Sequence, residues 1–198
     1  LAEKGFEVVG VDVSDTMLAR ATEDGVPPGV TFIQGDLAHV ESVVTGKFGG
    51  AICLGNTLVH ITDFATLVDL LSGVNKVLLA GAPLVIQVLN YERLVHDGQR
   101  CLPMTFIEDD EGEAIFLRVM THKPGGGVVF TPAMLRYRPD GEPALEVMTA
   151  HNVPLHGWRR AELESALEAA GFTSRQLFGT MADVPHVDCE STDVVIVA

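Results

Sequence analysis

The feature that most constrains this chain is an apolar, β-branched run that ends in an acid and passes at once into a capped helix. Residues 7–13 read EVVGVDV, and Ser14, Asp15, Thr16 and Met17 follow without a break. Consecutive valines leave neither face of such a run polar, so it reads as a strand covered on both sides. Ser14 supplies an N-cap oxygen for a helix whose apolar positions are Met17, Leu18 and Ala21. The same order then recurs. Residues 30–34 form a second strand ending at Gly35-Asp36, and residues 50–54 a third, followed by Gly55-Asn56. Between residues 64 and 79 the apolar positions Phe64, Leu67, Leu70, Leu71, Val74 and Leu78 fall on one helical face. Gly81 to Pro83 then turn the chain into a fourth strand over residues 84–89. Strands and helices alternating with short links predict a parallel α/β sheet.

The second half departs from that rhythm. Residues 114–121, 128–138 and 144–150 alternate apolar and polar, and are joined by KPGGG at 123–127 and PDGE at 139–142. Both links carry turn chemistry, which predicts an antiparallel meander of three strands. A helix over residues 160–170 closes at Gly171, and residues 174–178 and 193–197 form the last two strands. The fold class is therefore α/β: a mostly parallel sheet with an antiparallel last strand, plus an antiparallel meander insertion. The chain reads as one domain over residues 1–198, with the insertion or lid at 91–155.

Composition narrows the function. The formal net charge is −14, from 27 acids against 13 lysines and arginines. Such a surface repels phosphate backbones, and the densest basic cluster is only Arg159-Arg160. Nucleic acid is not an expected partner; a small molecule is. A bilayer span needs about 20 apolar residues, and the longest run here, residues 77–88, is broken by Gly81 and Pro83. No membrane association is expected. The N-terminal residues carry Glu3, Lys4 and Glu7, unlike a signal peptide. Cys53, Cys101 and Cys189 are odd in number and form no CxxC pair, a usage that suits a reducing cytoplasm.

Two acids stand at successive strand ends. Asp12 can accept hydrogen bonds from both vicinal hydroxyls of a ribose, and Asp36 can accept from an adenine amino group. Taken singly, each is equally a strand-end or turn acid. Their placement after consecutive strands points to one crevice at the carboxyl edge of the sheet, where α/β folds bind ligands. The segment Ile52-Cys53-Leu54-Gly55-Asn56-Thr57-Leu58-Val59-His60 adds a strand, a turn and a helix start.

With that segment, the sequence resembles the Rossmann-like S-adenosylmethionine-dependent methyltransferases, and more narrowly the glycine and sarcosine N-methyltransferase group. The stretch Val85-Ile86-Gln87-Val88-Leu89-Asn90-Tyr91-Glu92 is similar to that group's fifth strand, and GVDVSDTML at 10–18 to its second-strand-to-helix passage. The resemblance implies S-adenosyl-L-methionine as cofactor. Asp12 and Val13 would hold the ribose, Asp36 and Leu37 the adenine, and Leu54, Gly55, Asn56 and His60 would line the cleft. Asn90 and Tyr91 would face the transferring methyl or a small-molecule acceptor. Glycine-methylating members place an Arg before the Asn-Tyr pair; Leu89 stands there instead and cannot clamp a carboxylate. In that fold a strand with a glycine-rich loop precedes the acid-ending strand. Residues 1–5, LAEKG, then read as the tail of a helix, and one strand, its loop and most of that helix are expected upstream of Leu1.

No general base is singled out; His60, Tyr91, His151 and His156 are the available groups. His186, Asp188, Cys189 and Glu190 read as a solvated loop, so no metal site is assigned. Residues 108–113 (EDDEGE) read as a solvated turn, and KPGGG as a hairpin turn that lacks the ending of a phosphate loop. Two other readings remain open: a catalytically silent methyltransferase-like module that binds cofactor or dimerises, and an NAD-dependent dehydrogenase whose ribose would use Asp12. The meander over residues 114–150 suits part of a lid over the acceptor or the surface of a homodimer.

Overall fold

The computed structural model describes residues 1–109 and 111–198. Its first strand, β1 (Val8–Asp12), pairs in parallel with β2 (Val30–Gln34), so that Asp12 stands opposite Gln34. Helix α1 (Asp15–Thr22) crosses between them, and the Ser14 hydroxyl accepts from the Met17 N–H at 3.3 Å, as the sequence predicts. After β2 the chain makes a 3-10 turn, Leu37–His39, and the short helix α2 (Val40–Val43), both packed against α3 (Phe64–Val77). Asp63 caps α3 by accepting from the Thr66 N–H at 2.9 Å, which holds its carboxyl below the usual range.

A second sheet carries the other half of the α/β layer. Strands β3 (Ala51–Cys53) and β4 (Leu84–Leu89) are parallel, and the last strand runs antiparallel beside β4. That last strand spans Asp193–Val197; in the numbering used below it is β11, next to β10 (Gln176–Phe178). The sheet order is β10-β11-β4-β3. Leu84, Ile86 and Val88 of β4 are buried, and they meet Leu67, Leu70 and Leu71 of α3. Leu163 and Leu167 of α5 (Arg160–Ala169) complete this core. Each such leucine withdrawn from water stabilises the fold by about 2 kcal/mol.

No ladder among the described residues joins the β1–β2 pair to β3. The two halves are tied instead through α2 and the 3-10 turn on α3, where Val40 is buried and Leu37 packs on the core.

Between β4 and α5 the meander is larger than the sequence reading gave. Residues Tyr91–His96 form a helix, α4, so the antiparallel sheet starts only at β5 (Thr105–Asp109). It continues through β6 (Gly112–His122), β7 (Gly127–Tyr137) and β8 (Leu145–Ala150), with β9 (Val153–His156) returning to pair with β7. The predicted three strands are thus β6, β7 and β8, and β5 and β9 are additions. Neither is long, and Pro154 in β9 masks a strand pattern that only its pairing with Val129 makes evident. KPGGG is the β6–β7 turn. Of the expected turn at 108–113, Asp110 lies outside the described residues; Glu108 and Asp109 end β5, and Gly112 and Glu113 begin β6. Asp109 forms a two-pronged ion pair with the buried Arg136 at 2.6 and 2.9 Å, and this pairing lowers the Asp109 carboxyl and raises the guanidinium.

Candidate active site

The β1–β2 pair brings both predicted nucleoside acids to one edge. The Gly35 N–H donates to the Asp12 carbonyl at 3.0 Å, so the chain leaving β2 stays beside the end of β1. Each carboxylate has one oxygen spent on its own turn: Asp12 Oδ1 accepts from Ser14 N–H at 2.8 Å, and Asp36 Oδ1 from Ala38 N–H at 2.9 Å. The second Asp36 oxygen has only His39 Nδ1, at 3.5 Å, and the side chain is largely exposed. The turn-acid reading and the ligand reading therefore coexist: the hydrogen bonds to the backbone orient each carboxylate and leave an oxygen for hydroxyl or amino donors. Val13 is exposed beside Asp12, and Leu37 is half-buried.

The β3 turn is held more tightly. Gly55 donates its N–H to Gln87 Oε1 at 2.8 Å, and Gln87 Nε2 donates to Asp193 Oδ1 at 2.7 Å. One side chain of the central strand thus fixes the turn to β11. Asn56 sits in the left-handed region, φ 67°. Its Oδ1 accepts from Leu89 N–H at 3.1 Å, extending the β3–β4 ladder past the strand, and its Nδ2 donates to the Tyr91 hydroxyl at 2.9 Å. Leu54 and Gly55 are exposed on this turn, and the exposed His60 closes the 3-10 turn Thr57–His60 that follows. That turn is locked from behind: Trp158 Nε1 donates to the carbonyls of Leu58 and Ile61 at 3.1 and 3.0 Å.

Asn90 and Tyr91 are both buried where β4 passes into α4. Asn90 is 0% exposed. Its Nδ2 donates to the Ser191 carbonyl at 3.0 Å and its Oδ1 accepts from Arg93 N–H, capping α4. Each end of the buried amide makes one bond inside the chain, so Asn90 positions the start of α4. Tyr91 is also buried, which pushes its phenol pKa up, against the Asn56 hydrogen bond that pulls it down. Its ring reaches a cavity of about 540 Å³ that also touches Val95, His122, Lys123, Gly157 and Arg159.

Comparison with known proteins gives this geometry its class. Residues 1–81 match the family described as "Methyltransferase domain". The glycine/sarcosine N-methyltransferase of Parasynechococcus marenigrum (strain WH8102) is 32% identical over 100 residues, which is 50% of this chain and 36% of that protein. Its counterpart in Halorhodospira halochloris is 31% identical over 104 residues, 50% of this chain and 37% of that protein. The chain therefore matches little more than a third of these relatives' length. Among solved structures, the CcbJ methyltransferase from Streptomyces caelestis superposes with a TM-score of 0.73 over 99% of this chain and 75% of its own, at 22% identity. A S-adenosylmethionine-dependent methyltransferase from Clostridium acetobutylicum gives 0.69 over 96% and 73%, at 13% identity. The fold is therefore the one these S-adenosylmethionine-dependent methyltransferases share, and residues 1–81 match the methyltransferase-domain family.

The remaining polar groups of this methyltransferase fold are dispersed. His60 and His151 are exposed. His156 stacks on Trp158 with ring centroids 3.9 Å apart and faces Glu162 at 3.5 Å. Cys53 is a packed thiol whose pKa burial raises to about 11, so it is no nucleophile. His122, Lys123 and Arg159 escaped the sequence reading, because each sits in a segment that reads correctly as a hairpin or a helix start. Only their meeting at one cavity marks them.

Proposed function

We propose that this chain is the greater part of a S-adenosyl-L-methionine-dependent methyltransferase acting on a small-molecule acceptor. The observation that carries the reading is the ordered carboxyl edge, where Asp12 and Asp36 keep an oxygen free and the Gln87–Asn56 network fixes the β3 turn. Asp12 and Val13 suit the ribose; Asp36 and Leu37 suit the adenine; Leu54, Gly55, Asn56 and His60 line the cleft. When bound, the cofactor supplies an activated methyl on a sulfonium. That methyl would be available for in-line transfer to a lone pair of the acceptor, with the sulfur as leaving group. What the protein contributes is alignment and exclusion of water, worth several powers of ten in rate.

A strand upstream of Leu1, pairing between β1 and β3, belongs to the same reading. Both strands have an edge without a partner among the described residues, and Ile52 on β3 is 56% exposed. The antiparallel sheet over residues 105–156 serves as a lid or a contact between two copies, supported by an apolar row through Phe106, Ile115, Leu135 and Val147, of which Phe106 and Val147 are exposed. Three unpaired cysteines favour the cytoplasm. No described helix is long and apolar enough to cross a membrane. Calorimetric titration of the full-length protein with S-adenosylmethionine and with NAD tests the reading. Binding of the former alone is expected, and binding of NAD alone would sink it in favour of a dehydrogenase. Cofactor binding without product from any amine or hydroxyl acceptor would instead favour a silent module.

A further inference from the structure

The cavity beside Tyr91 is shaped by its glycines. A Cβ on Gly157 would stand 2.5 Å from the Tyr91 ring, and one on Gly126 would stand 2.8 Å from the His156 ring. Gly157 N–H donates to the Gly126 carbonyl at 2.8 Å, and Lys123 N–H to the Gly127 carbonyl at 2.7 Å. The KPGGG turn is thereby fastened to the segment before α5, and its Lys123 is held at the rim. Tyr91 and Val95 give the cavity apolar wall, as do Pro124 and Val128 of the turn and strand.

Its charges are unexpected in so acidic a chain. Lys123 and Arg159 are exposed and neither side chain joins an ion pair among the described residues, although acids outnumber cations two to one. Glu92 also lines the cavity, as does His96, so the cations are partly balanced but not bonded. His122 Nε2 lies 3.0 Å from the Gln99 carbonyl, which places the proton on that nitrogen. Its Nδ1 is then an acceptor, buried and without a partner among the described residues. Tyr91 joins this cavity to the β3 turn, since its hydroxyl is bonded to Asn56 while its ring forms the wall.

We propose that this cavity is the acceptor subsite and takes the anionic end, carboxylate or phosphate, of a molecule with an apolar body, with Lys123 and Arg159 as counter-charges. The proposal rests on the methyltransferase reading for what the bound molecule does, and it supplies from the meander the cationic clamp that Leu89 cannot. Amide NMR of the labelled full-length protein tests it with three probes of one shape: benzoate, phenyl phosphate and benzyl alcohol. At least one anion is expected to shift the amides of residues 123, 125–128 and 157–159 saturably, about tenfold more tightly than benzyl alcohol, a charge-assisted preference. Which anion binds more tightly separates carboxylate from phosphate acceptors. Lys123→Met and Arg159→Met should each weaken that anion about fivefold and leave benzyl alcohol unchanged, with Lys123→Arg restoring most of the loss. Both positions are exposed, so the variants should melt with the parent. The proposal fails if benzyl alcohol binds as tightly, if shifts fall elsewhere, or if neither anion saturates a shift. Titrating S-adenosylmethionine into the labelled full-length protein, with the upstream segment present, keeps the two readings apart. There, anion binding without cofactor binding would leave the cavity and sink the methyltransferase reading; the reverse result would sink the cavity alone.

Discussion

Replacing Asn56 separates two contributions that meet at one residue. Its backbone occupies the left-handed region, and its side chain accepts from Leu89 and donates to Tyr91. Glycine keeps the backbone and removes both hydrogen bonds, at a cost of about 1 kcal/mol each, so Asn56→Gly should lose about 2 kcal/mol. Alanine removes the same bonds and also carries a Cβ into a left-handed conformation, adding about 1–2 kcal/mol. Asn56→Ala should therefore lose about 3–4 kcal/mol. Aspartate tolerates the conformation, still accepts from Leu89, and can accept from a rotated Tyr91 hydroxyl, so Asn56→Asp should be the mildest of the three. Urea unfolding followed by far-ultraviolet dichroism reads these differences, with a slope of about 2 kcal/mol per molar placing the glycine midpoint about 1 M below the parent. A second readout is local. The Asn56 donor pulls the Tyr91 phenol down against its burial, so its loss in the glycine variant should move Tyr91 still higher, visible by phenolate absorbance because Tyr137 is the only other tyrosine. Equal losses for alanine and glycine, or a Tyr91 that titrates earlier, would refute this account.

Three further outcomes follow from the packing. Trp158→Phe keeps an aromatic ring but strips the Leu58 and Ile61 carbonyls of their shared donor; a loss of about 2 kcal/mol, or roughly 4–8 °C in Tm, is expected, with faster amide exchange across residues 58–61. Gly157→Ala should cost about 1–3 kcal/mol by overpacking, and should weaken ligands of the Tyr91 cavity more than cofactor, because the displaced ring is the cavity wall. The Asp109 carboxyl is depressed chiefly by the hydrogen bond from Arg136. A depressed acid stabilises the fold fully above its unfolded pKa, about 4, and this contribution fades as pH falls through the lower folded value. Asp109→Asn should accordingly flatten the acid limb of a melting-temperature profile while lowering the neutral plateau.

The parallel α/β half was legible because its signals are local. The β2 and β4 bounds agree with the residues read as strands, Ser14 caps α1, and the apolar face of α3 is the buried one. Those elements are dictated by side-chain period and by hydrogen bonds three residues apart. The same local reading placed Asp12, Asp36 and the Asn56 turn at strand ends, which sufficed to propose a nucleoside-binding edge. It was silent where a residue's surroundings depend on a partner distant in the chain. Asn90 follows a strand, and its amide donates to the carbonyl of Ser191, a hundred and one positions away, a contact that no local pattern shows. β9 shows no strand period because Pro154 interrupts it, and it exists through its pairing with β7. Lys123 and Arg159 lie thirty-six residues apart in segments with ordinary local explanations, and the β7–β9 pairing, continued by the bond between Gly126 and Gly157, brings them to one cavity. Sequence alone determined the elements of the parallel half and the acid-bearing edge, since these follow from backbone period and capping. Tertiary structure alone decided which polar groups remain free, since a donor or acceptor is available only when no distant residue has already taken it.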